Sequence, residues 1–168
     1  MRGGNHLRLF IKEVKPELIS SGAPIYLPLD DISGTALVWF GWGYSMAFTS
    51  TGSPWPTLVG GFDKAFLANV DVTTFAATFS NGVYLPELVF VMFQMTFACI
   101  TPALIVGAFA ERVKFTPLIL FVVGWLTLAY FPIAHMVWYW AGPDFLHAAP
   151  DDMGLLWGWG ALDFAGGT

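Results

Sequence analysis

Residues 88–110 read LVFVMFQMTFACITPALIVGAFA, a stretch with no acidic or basic side chain. At about 1.5 Å per residue it is long enough to cross the roughly 30 Å hydrocarbon core of a bilayer as one helix. Residues 115–140 form a second such stretch, with His135 as its one basic group. Pro86 and Pro117 stand where a first helical turn tolerates proline, because the missing N–H has no partner there anyway. Pro102 and Pro132 lie inside the stretches. In water they would break a helix; in a membrane, neighbouring helices can satisfy the freed carbonyl. Pro132, near the far end, predicts a kink or an early stop. A shorter uncharged run, ISGTALVWFGWGYSMAF, covers residues 32–48 and is stopped by Pro54 and Pro56. It barely reaches spanning length, and reads as a short span or the remnant of a longer one.

Composition agrees with lipid as the solvent. The chain has 168 residues, 56% of them hydrophobic and 11% charged, and its mean hydropathy is +0.64. Soluble domains carry about 25% charged residues, so this chain has too few charges to coat a water-facing surface. A net charge of -5 argues against a nucleic-acid partner. The single cysteine, Cys99, excludes a disulfide within the chain and reads as a small packing residue. Phosphate loops, metal-ligand clusters and nucleophile triads are absent from the sequence, so an enzyme is the least favoured class, with no metal or cofactor expected.

Charge placement gives an independent threading. Arg2, Arg8, Lys12 and Lys15 precede the first span, and Arg112 and Lys114 occupy the turn between the second and third. Lys64 is the lone basic residue of the long loop before residue 88. Positive residues mark the cytoplasmic side, so the first span exits, the second returns and the third exits again. Asp144, Asp151, Asp152 and Asp163 then face outward. Residues 1–31 are polar and broken by Pro16, Pro24 and Pro28, and form a separate, atypical N-terminal segment. Residues 32–168 are read as a partial membrane domain. The GALDFAGGT run at 160–168 looks like a loop entering a further helix, cut short at Thr168, with Asp163 as its N-cap.

Four motifs carry a family resemblance. They are FQMTFACIT at 93–101, LIVGAFAER at 104–112, YFPIAHMVW at 130–138 and GALDFAGGT at 160–168; GYSMAF at 43–48 adds to them. In this order and spacing they resemble the Amt/Rh family of ammonium transporters, of the bacterial Amt type, over roughly residues 33–168. The resemblance implies an all-α membrane protein with an eleven-helix bundle. This chain would supply helices two to four and the start of helix five. It also implies a homotrimer with one pore per subunit, multi-pass in the inner (plasma) membrane, with a PII-type regulatory protein as a partner at the cytoplasmic face.

The implied function is passage of ammonium or ammonia through an aromatic-gated hydrophobic pore. A dehydrated cation needs something in place of its water shell. An aromatic face offers negative quadrupole density, worth about 2 kcal/mol or more when desolvated, and several weak contacts release an ion faster than one fixed charge. By resemblance, Trp138 is the outer recruitment tryptophan, whereas its position alone suits an interfacial belt residue, as for Trp140. Phe97 resembles the gating phenylalanine, and Phe93 an aromatic near the entry that shares substrate recruitment with Trp138. Their spacing of four puts them on one helix face, with Thr101 four further on. Asp163 resembles the signature aspartate, with a structural and electrostatic role: capping the N–H groups of Ala165 and Gly166. Gly166 and Gly167 permit close helix approach or backbone access. Phe90 and Phe109 read as core aromatics, His135 as a satisfied structural histidine, His147 as a loop residue, and Glu111 with Arg112 as a solvated helix end. The family's pore histidines and second gating phenylalanine have no counterpart in this chain. Two other readings stand beside transport: an ammonium-sensing module of a signalling protein, and a fragment that inserts but builds no pore.

Overall fold

The computed structural model describes residues 27–106, 108, 113–145 and 152–163. Helix α1 covers 27–48: regular over Leu27–Val38, widened to a π-helical turn over Trp39–Gly43, and regular again over Tyr44–Phe48. It starts five residues ahead of the uncharged run and takes in Asp30 and Asp31, so the polar segment drawn to residue 31 does not end where the helix begins. Helix α2 is Glu87–Val106 and runs unbroken through Pro102. Helix α3 comprises Phe115–Trp125, a π-helical turn at Leu126–Tyr130 and Phe131–Trp138. Two segments, Glu87–Ile105 and Thr116–Trp138, are long and apolar enough to cross a membrane.

Pro132 neither stops nor sharply breaks α3. The turn just before it widens instead, which accommodates a residue that lacks an N–H and crowds the preceding carbonyls. The helix ends at Trp138, with Tyr139 extended, rather than at Trp140. The sequence motif 107–112 lies largely outside the described residues, including Phe109, Glu111 and Arg112.

In lipid, helices gain little from hiding apolar surface from one another, so close packing and interhelical hydrogen bonds carry the association. Both are present. The Trp39 indole N–H donates to the buried carbonyl of Val91 on α2 at 3.1 Å. The Trp42 N–H donates to Thr127 Oγ1 on α3 at 3.0 Å. Between these two bonds the Trp39 and Phe131 rings meet at 5.9 Å between centroids, both fully buried. The Phe131 ring lies directly over Gly43: a Cβ there would stand 2.4 Å from Phe131 Cζ.

The architecture is helical, as expected, and the loop between α1 and α2 adds a small element to it. This loop carries a two-stranded antiparallel hairpin, β1 Phe75–Ala77 with β2 Tyr84–Pro86. It is also stitched to the end of α1. Gly60 N–H donates to Met46 O at 2.7 Å, and a Cβ on Gly60 would sit 2.4 Å from the carbonyls of Ser45 and Thr49. Gly61 N–H donates to Thr49 Oγ1 and Lys64 N–H to Ser45 Oγ. A short helix α4, Leu155–Gly158, follows α3 and returns to the same end: Leu155 N–H bonds Thr57 O, and Gly154 N–H bonds Tyr139 O.

Gly43→Ala is expected to destabilise the chain by about 1–3 kcal/mol through overpacking against Phe131. Thermal unfolding in detergent checks this. Adding Phe131→Leu should recover part of the loss, because the two residues form one contact.

Candidate functional site

The long helices and the loop border a cavity of about 1000 Å³, half of whose lining residues are aromatic. Phe93 and Phe97 project into it from one face of α2, as their spacing predicts, with rings edge-to-face at 5.1 Å. Phe97 meets Trp138 at 6.2 Å, and Trp138 meets Tyr130 edge-to-face at 6.3 Å. Residues distant in sequence thus form one continuous aromatic wall. Phe97 remains 42% and Phe93 55% exposed, so both rings present surface to the cavity rather than filling the core. Thr101 does not face a ligand with its hydroxyl: it donates to the Phe97 carbonyl at 2.8 Å.

Asp163 joins the wall by a contact the sequence did not suggest. Its Oδ2 accepts the indole N–H of Trp138 at 2.9 Å. The amides it was expected to cap, Ala165 and Gly166, lie outside the described residues, as does Gly167. With its N–H committed to a carboxylate, Trp138 offers the cavity its π face. A charge-assisted bond of this kind draws electron density toward the indole ring, which strengthens attraction for a cation above it. Gln94 also lines the cavity, and its Oε1 is buried without a hydrogen-bond partner among the described residues. It is an acceptor for a donor in the cavity, and its polar side chain inside an apolar run was the available signal.

Phe90 is a core-type ring, edge-to-face with Phe48 at 4.9 Å. Trp140 packs in a cluster with Phe79 and Trp157, at 5.4 and 5.1 Å. His135 is wholly buried, its Nδ1 3.1 Å from Ala47 O and its Nε2 2.7 Å from Pro56 O. A neutral imidazole can donate to one of these carbonyls; an imidazolium donates to both. The ring stacks on Tyr139 at 4.7 Å, and the Tyr139 hydroxyl reaches Ser50 Oγ and Asp152 Oδ1. Burial is the main cause holding the Tyr139 phenol protonated well above the ordinary range. His135 and Tyr139, which flank Trp138 in sequence, thereby tie the end of α3 to the end of α1 and to the loop after it. His147 lies outside the described residues.

The hairpin that walls the cavity is clamped from α3's far end. Asp144 accepts the Tyr84 hydroxyl at 2.6 Å and the Gly82 N–H at 2.9 Å. These bonds, the Tyr84 hydroxyl first, hold the Asp144 carboxyl below its ordinary range. A carboxyl whose pKa is lower in the folded state contributes fully above the ordinary range, and the contribution fades as pH falls through the lowered value. The Gly82 amide should therefore keep its hydrogen-exchange protection at pH 5 and lose it only below the ordinary carboxylate range. Asp144→Ala should show low protection at every pH.

The profile of the Ammonium Transporter Family matches residues 23–168, taking in part of the segment that seemed atypical. An ammonium transporter of Bacillus subtilis is 40% identical over 140 residues, covering 82% of this chain and 29% of that protein. An ammonium transporter of Archaeoglobus fulgidus is 38% identical over 133 residues, covering 79% of this chain and 27% of its own length. The crystal structure of Mep2 from Candida albicans superposes with a TM-score of 0.63 at 34% identity, over 83% of this chain and 26% of that one. The chain thus spans about a quarter of the length of the relatives it matches.

Proposed function

The chain belongs to the ammonium transporter family, and from that premise we propose that it forms part of a transmembrane passage for ammonium or ammonia. The observation that carries this reading is the convergence of Phe93, Phe97, Trp138 and Asp163 on one cavity wall. In this reading Trp138 receives the cation on its π face at the outer mouth, and Phe93 shares that contact. Asp163 supplies negative potential through the indole without ligating the ion. Phe97, its ring tilted against Trp138, closes the way inward, and a rotation of its ring opens it. Each contact is weak, so the ion is held without being trapped.

Gly166 and Gly167 would let the following segment approach the wall closely. We further propose that the outer ends of α1 and α3 face away from the cytoplasm, on the basis of the charge distribution, in the inner (plasma) membrane of the cell. The assembled protein is proposed to be a homotrimer in a lipid bilayer, with a PII-type protein at its cytoplasmic face. The proposed role is transport: the wall offers aromatic faces and hydrogen-bond acceptors, a chemistry of passage.

Trp138→Leu, placed in a full-length transporter carrying this segment, tests the reading. Ammonium should compete with methylammonium uptake on the order of tenfold more weakly, the loss of one desolvated cation–π contact. Unchanged competition removes Trp138 from the recruitment role.

A further inference from the structure

The same cavity has a second acid–aromatic pair, away from Trp138. Glu87, the first residue of α2, is 3% exposed. Its Oε1 accepts the Tyr44 hydroxyl at 2.6 Å and also pairs with the ε-ammonium of Lys64. Tyr44, Lys64 and Glu87 all line the cavity. The Tyr44 ring stands 5.7 Å from Phe48 and 6.5 Å from Phe90, so the carboxylate has aromatic neighbours.

We propose that Glu87 and Tyr44 form a second binding site for a small primary ammonium ion, occupied here by the chain's own Lys64. A lysine ε-ammonium and methylammonium are the same functional group: a tetrahedral cation with N–H donors and no acceptor. A carboxylate this deeply buried needs a cation beside it, and the chain supplies one on a flexible stem. The lysine is not locked in. Its side chain is 29% exposed, against 4% for Glu87, so it can withdraw while the carboxylate stays. Its backbone is held by Ser45 Oγ, and just beyond it Phe66, Leu67 and Asn69 adopt left-handed conformations that L side chains rarely take. Strained segments of this kind are typical of ligand clamps. With Lys64 withdrawn, an ammonium ion entering the cavity meets a carboxylate, a phenol oxygen and two aromatic rings. With Lys64 in place, the site is charge-balanced and closed to cations. The proposal stands apart from the transport reading, since it concerns binding at residues that play no part in the Phe97–Trp138 wall.

Chemical rescue tests it in the full chain purified in detergent. Lys64→Ala removes a propylammonium-sized piece of side chain and leaves Glu87 without its cation, so the unfolding midpoint should fall. Millimolar n-propylammonium or methylammonium should raise that midpoint by about 3 °C or more and leave the unsubstituted chain unchanged. Sodium chloride at equal ionic strength should not do so. The rescue should vanish when Glu87→Gln is added, and persist when Trp138→Leu is added, which separates this site from the recruitment wall. Equal effects of amine and sodium, or rescue that survives Glu87→Gln, would overturn the proposal and leave a purely structural ion pair. Should Lys64→Ala yield no folded protein, Lys64→Gln keeps a neutral donor on the carboxylate. It should show saturable methylammonium binding by calorimetry beyond that of the unsubstituted chain, and the lack of such a gain would equally overturn the site.

Discussion

Phe131 can lie against α1 only because residue 43 has no side chain. That contact sets the distance between α1 and α3, and most of the remaining architecture follows from it. Beside that contact, Trp39 reaches the Val91 carbonyl on α2 and Trp42 reaches Thr127 on α3. In a bilayer the apolar surfaces of helices and lipid are nearly interchangeable, so such contacts, rather than burial as such, decide which faces meet. Phe131 follows the widened turn that precedes Pro132, and that turn sits where the ring reaches across to α1. A proline that looked like a weakness in the sequence is thus part of the packing.

The loop between α1 and α2 illustrates a second constraint: a chain that folds back over helix ends must satisfy the polar groups it covers. The last carbonyls and hydroxyls of α1 are met by amides of Gly60, Gly61 and Lys64. The end of α3 is met by Gly154 and by the His135–Tyr139 pair with its partners in the loop. The loop is therefore a fixed cap. This rigidity gives the cavity a defined end and holds the aromatic wall in register with it.

Along that cavity the chemistry repeats. At one place a carboxylate accepts an indole N–H from Trp138; at another a carboxylate accepts a phenol O–H from Tyr44. Each pairing anchors an aromatic ring while enriching its surroundings in negative potential. The difference lies in burial. Glu87 is buried with Lys64 beside it, whereas Asp163 is exposed. Lys64, which stood out as the one basic residue in a loop assigned to the outer side, is explained by this buried partner.

The sequence by itself determined the spanning segments. Uncharged runs of the right length and their flanking prolines put the helix starts within a residue of Glu87 and Phe115, because in lipid a segment without charge has no alternative to a self-satisfied helix. The four-residue spacing of Phe93 and Phe97 likewise fixed their shared face. Features that depend on distance through space were not legible in this way. The start of α1 at Leu27 hid behind two aspartates, since local polarity says nothing about what a helix end packs against. The cap formed by the loop, the Trp138–Asp163 bond and the Lys64–Glu87–Tyr44 cluster join residues remote in the chain. No local pattern specifies such pairings; they exist because the packed helices and the loop folded over their ends bring those side chains together in space.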